Sequence, residues 1–213
     1  YFEVSMPPGF IDVRSFINLG YGIITGFTYI LDITPSIDDI WNRCSGECRN
    51  NIRKGLKNDY QLEENSDHLE LVKFLSERYA EKGRNFLVNP EFIGEVLKAF
   101  PEAFAIYYLC NNGERVSGVF NLEQKGHVSG WLGMPKPRDS KDVYANEVFL
   151  WKLIQKASAE GFRTFEIAGA NTPEISIFRN KFNPGLKVCF RLYKKDLIGR
   201  IAEQAYFRFI KTI

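Results

Sequence analysis

Few side chains in this sequence suit proton transfer at neutral pH. His68 and His127 are the only histidines, and a Ser-His-Asp or Cys-His nucleophile needs a placed imidazole. His127, in a glycine-flanked run, reads most simply as an edge or surface residue. Cys44 and Cys48, four apart, offer half a metal site, but with Cys110 and Cys189 they form no ladder of spacings, so no metal is expected and a reducing cytoplasm is the default. What remains is carboxylate, amide and cation chemistry. Glu166 lies between Phe165 and Ile167, where a carboxylate can accept a proton or orient an amine, although strand alternation alone turns it to solvent. Arg179 stands in Phe178-Arg179-Asn180-Lys181-Phe182. The two aromatics can anchor one helix face and leave residue 179 to project, a permanent cation suited to holding an oxyanion rather than to moving protons. Arg49 and Arg53, sharing a helix face, and Lys54 are candidates for an anionic ligand, against the alternative of a solvated helix face. Trp131, Tyr144 and Asn146 are candidates for lining a substrate pocket, the last two beside a loop stiffened by Pro135 and Pro137 that also carries Arg138 and Lys141.

These residues need a scaffold of one large domain, or one domain with an appendage: 213 residues, 45% hydrophobic, 15% aromatic and 25% charged is a globular composition and excludes disorder, collagen and coiled coil. The longest apolar stretch, Leu19 to Leu31, is interrupted by Gly20, Gly22, Thr25, Gly26 and Thr28, short of the roughly 20 residues of a membrane helix. No membrane span and a cytoplasmic location are expected. The chain opens on Tyr1 without a signal-peptide pattern, which suggests a start further upstream. The net charge of +2 hides an asymmetry. Arg43, Arg49, Arg53, Lys54 and Lys57 face Glu47 alone, a second basic segment follows Arg179, and the stretch from Asp59 to Glu102 is acidic, so two basic segments offer a surface to a phosphate-bearing precursor or RNA.

Periodicity and punctuation give the elements. A strand from Phe27 to Ile33 leads to a helix capped by Ser36 that can run to about Lys57, weakened at Gly46. A short strand from Tyr60, a helix capped by Ser66, and a helix opened by Pro90 with Phe92, Ile93, Val96, Leu97 and Phe100 inward come next. Asn111-Asn112-Gly113 and Gln124-Lys125-Gly126 supply hairpin turns between strands at Ala103 to Cys110, Arg115 to Leu122 and Gly126 to Gly133. A helix from about Ala145 to Glu160, a strand from Arg163 to Ala168, a short helix from Pro173, a strand from Leu186 to Tyr193 and a terminal amphipathic helix capped by Asp196 complete the chain. The expected fold class is mixed α+β, a largely antiparallel sheet flanked by helices in the strand and helix order of GNAT acyltransferases, with its cleft between Gly126 to Gly133 and Arg163 to Ala168.

Taken in order, Thr28-Tyr29-Ile30-Leu31-Asp32, Trp41, Arg49-Asn50-Asn51-Ile52-Arg53-Lys54-Gly55, the run from Gly161 to Gly169 and Ile177-Phe178-Arg179-Asn180-Lys181-Phe182 resemble the Fem family of aminoacyl transferases and related acyltransferases with tandem GNAT-like domains. The third segment is similar to the family's Arg-x-x-Ile-Arg-Lys-Ala run, the fourth to its Gly-x-x-x-Phe-Asp-x-x-Gly strand, and the last to its Phe-Lys-x-x-Phe motif. The resemblance covers Thr28 to Tyr193. It implies that residues 1–35 are the tail of a first GNAT-like domain, 36–58 a connecting basic helix, 59–195 the acyltransferase domain and 196–213 a C-terminal helix. It further implies transfer of an amino acid from aminoacyl-tRNA to an amine of a cell-wall precursor, with Arg179 in place of the family's carbonyl-polarising lysine and Glu166 in place of its aspartate. A missing first domain, or a second copy of the chain, would pair with the apolar side chains of residues 1–35; no DNA partner is expected.

Acyl transfer to an amine needs a bound donor, a route for the amine's proton and stabilisation of the oxyanion. Glu166 and Arg179 are matched to the second and third of these. Acyl-CoA is the less favoured donor, because the stretch from Pro137 to Asn146 lacks the glycine-rich loop that binds pyrophosphate at a helix N-terminus, and no other cofactor is expected. A CoA-dependent small-molecule N-acyltransferase and a non-catalytic GNAT-like binding module remain the alternatives.

Overall fold

The computed structural model describes residues 2–81, 83, 85–195 and 199. Two tight reversals organise its centre. Asn112 and Gly113 at φ 49° and 80°, and Lys125 and Gly126 at 52° and 76°, supply the paired left-handed residues that match the twist of antiparallel strands. They join strands Phe104–Asn111, Glu114–Gln124 and His127–Gly133 into a meander. In chain order the strands are β1 (Phe2–Ser5), β2 (Gly22–Asp32), β3 (Tyr60–Asn65), β4 to β6 (the meander), β7 (Thr164–Glu166) and β8 (Gly185–Lys194). All eight form one sheet in the order β1-β8-β2-β7-β6-β5-β4-β3. Every pairing is antiparallel except β6 with β7. A parallel pair needs a crossover, and the helix Ala145–Ala159 supplies it.

The helices are α1 (Arg14–Asn18), α2 (Ile37–Arg43), α3 (Gly46–Gly55), α4 (His68–Ala80), α5 (Pro90–Ala99), α6 (Ala145–Ala159) and α7 (Pro173–Asn180). On one face of the sheet α6 buries Val148, Phe149, Leu150, Leu153 and Ile154 against Tyr107, Leu109, Val119, Val128 and Phe165, and the same core takes in Ile40 of α2 and Ile52 of α3. Each such side chain contributes about 1.5–3 kcal/mol over an exposed one. On the other face Leu71 and Leu75 of α4 and Ile93 of α5 cover Ile106, Tyr108 and Phe120.

Several expectations are corrected. The helix expected from Ser36 to Lys57 is two helices: Cys44 is extended, and Ser45 accepts from the Cys48 N–H at 3.1 Å, which restarts the chain as α3. Asp67, not Ser66, caps α4, accepting from the Leu69 and Glu70 amides. On α5 Ile93 is buried, whereas Phe92 and Phe100 are 55% and 57% exposed. Strands β1 and β8 pair through Phe2↔Lys194 to Ser5↔Arg191, a pairing the sequence reading did not contain. Residues 22–32 form a central strand of this sheet, bonded to β7 on one side and β8 on the other. The helix expected from Asp196 lies outside the described residues. Among the described residues, no helix is long and apolar enough to cross a membrane.

Candidate active site

The site begins where two parallel strands part. β6 and β7 pair from His127↔Thr164 to Ser129↔Glu166 and then diverge for local reasons. On β6 the register slips, with Asn121 facing Gly130 but Phe120 facing Leu132, so Trp131 is the extra residue of a β-bulge that bends the strand. Gly133 and Met134 follow at φ 130° and 56°. A Cβ on Gly133 would meet the Gly118 carbonyl oxygen at 2.2 Å, so only glycine fits. On the other lip the Ile167 N–H turns away to the Tyr29 carbonyl at 2.9 Å, and Ala168 and Gly169 at φ 44° and 80° carry the chain into α7. Left-handed backbone is thus concentrated on both lips of the cleft.

Between the lips lies a cavity of ≈ 180 Å³, lined by Asn121, Trp131, Leu150, Phe165 and Arg179 among others. It adjoins a groove of ≈ 630 Å³ between the loop 136–140 and α7. Met134 and Arg179 line both.

Arg179 sits in the last turn of α7, held by the aromatic pair around it: Phe178 and Phe182 meet edge to face at 6.0 Å, and the guanidinium lies 5.1 Å from the Phe178 ring centre. Its Nη1 approaches Met134 Sδ at 3.2 Å, and its buried Nε has no hydrogen-bond partner among the described residues. The residue as a whole is only partly buried, but its head group is desolvated, and that desolvation pulls the pKa down to about 10. It remains a cation at neutral pH, with no ion-pair partner among the described residues. Lys181, two positions on, pairs with Glu47 at 2.6 Å and lines the groove but not the cavity.

Glu166 follows the strand alternation: Phe165 and Ile167 line the cavity, and Glu166 turns to the opposite face of the sheet. It is largely enclosed there, with its side chain 15% exposed. Thr28 Oγ1 donates to it at 2.7 Å and Ser129 Oγ at 3.0 Å, while His127 Nε2 lies at 3.6 Å. Burial pushes the Glu166 pKa up, but His127, Thr28 and Ser129 together outweigh it and hold the carboxyl below its usual range. His127 also contacts Thr164 Oγ1 through Nδ1 at 2.8 Å. It therefore belongs to a polar network rather than to a bare edge.

The remaining candidates are scattered. Arg49 donates to the Asn42 carbonyl at 2.9 Å and the Cys44 carbonyl at 2.5 Å, closing the end of α2. Arg53 stacks 5.3 Å from the Trp41 ring and Lys54 5.6 Å from the Tyr144 ring, so Tyr144, the residue before α6, packs under a lysine. Asn146 Nδ2 donates to the Pro135 carbonyl at 3.1 Å and braces the loop of the groove it lines. Trp131 lines the cavity and packs on Phe104 and Phe120. Arg138, on the same loop, pairs with Glu81. Sequence reading missed Asn121, whose signal was a polar residue within Val119-Phe120-Asn121-Leu122, and it missed Thr28 and Ser129 as partners of Glu166.

A family model described as an acetyltransferase (GNAT) domain matches residues 43–174, more than half of the chain. The chain belongs to the GNAT acyltransferase-domain family. Among solved structures this GNAT domain is similar to FemX, with TM-score 0.64 and 11% identity over 84% of this chain and 67% of that one. It is also similar to the C-terminal domain of a putative lysylphosphatidylglycerol synthetase from Agrobacterium fabrum, with TM-score 0.63 and 12% identity over 95% and 70% of the two chains. A third likeness is to L-PGS from Bacillus licheniformis, with TM-score 0.58 and 15% identity over 95% and 71%. At such identities these three share the fold. A search of curated protein sequences finds no match.

Proposed function

We propose that this GNAT domain is an aminoacyl transferase of the Fem type, moving an amino acid from aminoacyl-tRNA to an amine of a cell-envelope precursor. The observation that carries the reading is Arg179, a desolvated cation without an ion-pair partner among the described residues, on the wall of the cleft between β6 and β7. In the reaction the acceptor nitrogen attacks the ester carbonyl carbon, and the carbonyl π electrons move to oxygen. Arg179 stabilises that oxyanion without giving up a proton. Collapse re-forms the carbonyl, breaks the bond to the ribose oxygen and leaves an amide. The amine's proton leaves and the ribose oxygen gains one, so no oxidant or cofactor is required.

The N-terminus of α6 supports this donor over acyl-CoA. A pyrophosphate docks on free amides with positive polarity. Here Glu147, in the first turn of α6, is buried and accepts from Asn51 Nδ2 at 3.1 Å, and Asp142 is buried just ahead of the helix, accepting from Tyr60 and Asn111. Two carboxylates beside those amides oppose a diphosphate. Incubation with isotopically labelled aminoacyl-tRNA or acetyl-CoA, each with an amine-bearing peptidoglycan precursor, tests the reading. Label is expected in the precursor from the tRNA; label only from acetyl-CoA, or from neither, contradicts it.

A further inference from the structure

Arg179 is not the only group in the cleft left without a partner. Asn121 is 1% exposed and sits on β5 opposite Gly130, next to the bulge. Its Nδ2 faces Glu123 Oε1 at 3.5 Å, with Oδ1 turned the other way. That oxygen is buried and finds no hydrogen-bond donor among the described residues. A buried acceptor left unpaired is costly, and such atoms in native proteins call for an explanation. The geometry around it supplies one. A Cβ placed on Gly130 would lie 3.9 Å from Asn121 Oδ1 and 3.7 Å from the Glu166 carbonyl oxygen, ordinary contact distances. The space in front of Oδ1 is therefore open because residue 130 has no side chain. Asn121, Gly130 and Arg179 all line the ≈ 180 Å³ cavity, and Leu132, Leu150 and Phe165 make much of its remaining wall apolar.

An acceptor awaiting a donor and a donor awaiting an acceptor on one small cavity describe a ligand that carries both. We infer that Asn121 Oδ1 receives an N–H of the α-amino group of the transferred aminoacyl residue while its carbonyl faces Arg179, and that the residue carries a compact apolar side chain. The inference rests on the aminoacyl-transfer reading and deepens it. In an aminoacyl ester one carbon separates the amino group from the carbonyl, whereas an acetyl group has no donor to offer and would leave Oδ1 buried and unpaired. The cavity takes about six water volumes at ≈ 30 Å³ each, which fits a compact acyl group, whereas a longer side chain would have to run on into the adjoining groove.

The test compares two donors on one tRNA, alanyl and propionyl, which differ only by the amino group. The wild-type protein is expected to transfer alanyl about 10- to 100-fold faster at subsaturating donor, the range for losing one hydrogen bond and stranding its buried partner. Asn121→Leu removes the acceptor, and Gly130→Ala places a methyl group in front of it. Each is expected to bring the ratio toward one. Gly130→Ala meets only ordinary contacts, so it decides the matter if circular dichroism shows that Asn121→Leu does not fold. A wild-type ratio near one, or a ratio unchanged in Gly130→Ala, overturns the assignment of Asn121 while leaving aminoacyl transfer standing. Transfer from neither tRNA overturns the compact aminoacyl donor, and transfer from acetyl-CoA in its place overturns the reading beneath it.

Discussion

Arg179 and Glu166 are charged groups held in two different ways, and they respond differently to substitution. The Arg179 head group is desolvated without a counter-charge among the described residues, which is unfavourable for folding. Arg179→Met keeps the length and removes the charge, so urea titration is expected to show equal or greater stability. Glu166 is instead held by Thr28 and Ser129 with His127 beside it. Its folded pKa is depressed, so its contribution is present above the unfolded value of about 4.3 and is lost as pH falls through the folded value. Glu166→Gln is expected to lower stability by about 1–3 kcal/mol at pH 7, a loss that shrinks toward pH 3. Equal losses at both pH values would show that its charge is not the stabilising feature. At this scale the sequence was legible where spacing is local: Phe178 and Phe182 announce how α7 presents Arg179. The partners of Glu166 were hidden, because Ser129 and Thr28 lie 37 and 138 residues away and only the sheet order brings them together.

The cleft is an outcome of backbone geometry in the elements around it. Gly133 ends β6 at φ 130° against the Gly118 carbonyl. Gly133→Ala is therefore expected to cost about 2–4 kcal/mol, from a strained dihedral together with a backbone clash. A loss below about 0.5 kcal/mol in urea titration would mean that the lip relaxes freely. Turn chemistry made the meander readable, since Asn112-Gly113 and Lys125-Gly126 can scarcely be anything but hairpins. The break between α2 and α3 was less so: Gly46 was visible, but the stop depends on Arg49 reaching back to the Asn42 and Cys44 carbonyls. The bulge at Trp131 has no local sequence signature, because it is a property of two strands in register.

Across the whole molecule, β2 joins the two halves of the sheet. It pairs with β7 through Ile30↔Glu166 to Asp32↔Thr164 and with β8 from Gly22↔Tyr193 to Ile30↔Gly185, and it places Tyr29 and Leu31 in the main core. The chain lacking residues 1–35 is expected to show no cooperative urea transition; a sharp transition would mean that the rest of the sheet closes without it. The resemblance placed a domain boundary near residue 35, and the pairing of β2 with β7 and β8 was not legible beside it because it spans more than a hundred residues. The central claim is that Arg179 stabilises the oxyanion of aminoacyl transfer, and single-turnover transfer of labelled amino acid from aminoacyl-tRNA by folded Arg179→Ala, Arg179→Lys and Lys181→Ala variants tests it most directly. Arg179→Ala is expected to slow transfer about a hundredfold, a loss of about 3 kcal/mol of transition-state stabilisation. Arg179→Lys is expected to retain measurable transfer and Lys181→Ala to stay near the wild-type rate. Wild-type transfer by Arg179→Ala, or a loss confined to Lys181→Ala, would contradict it.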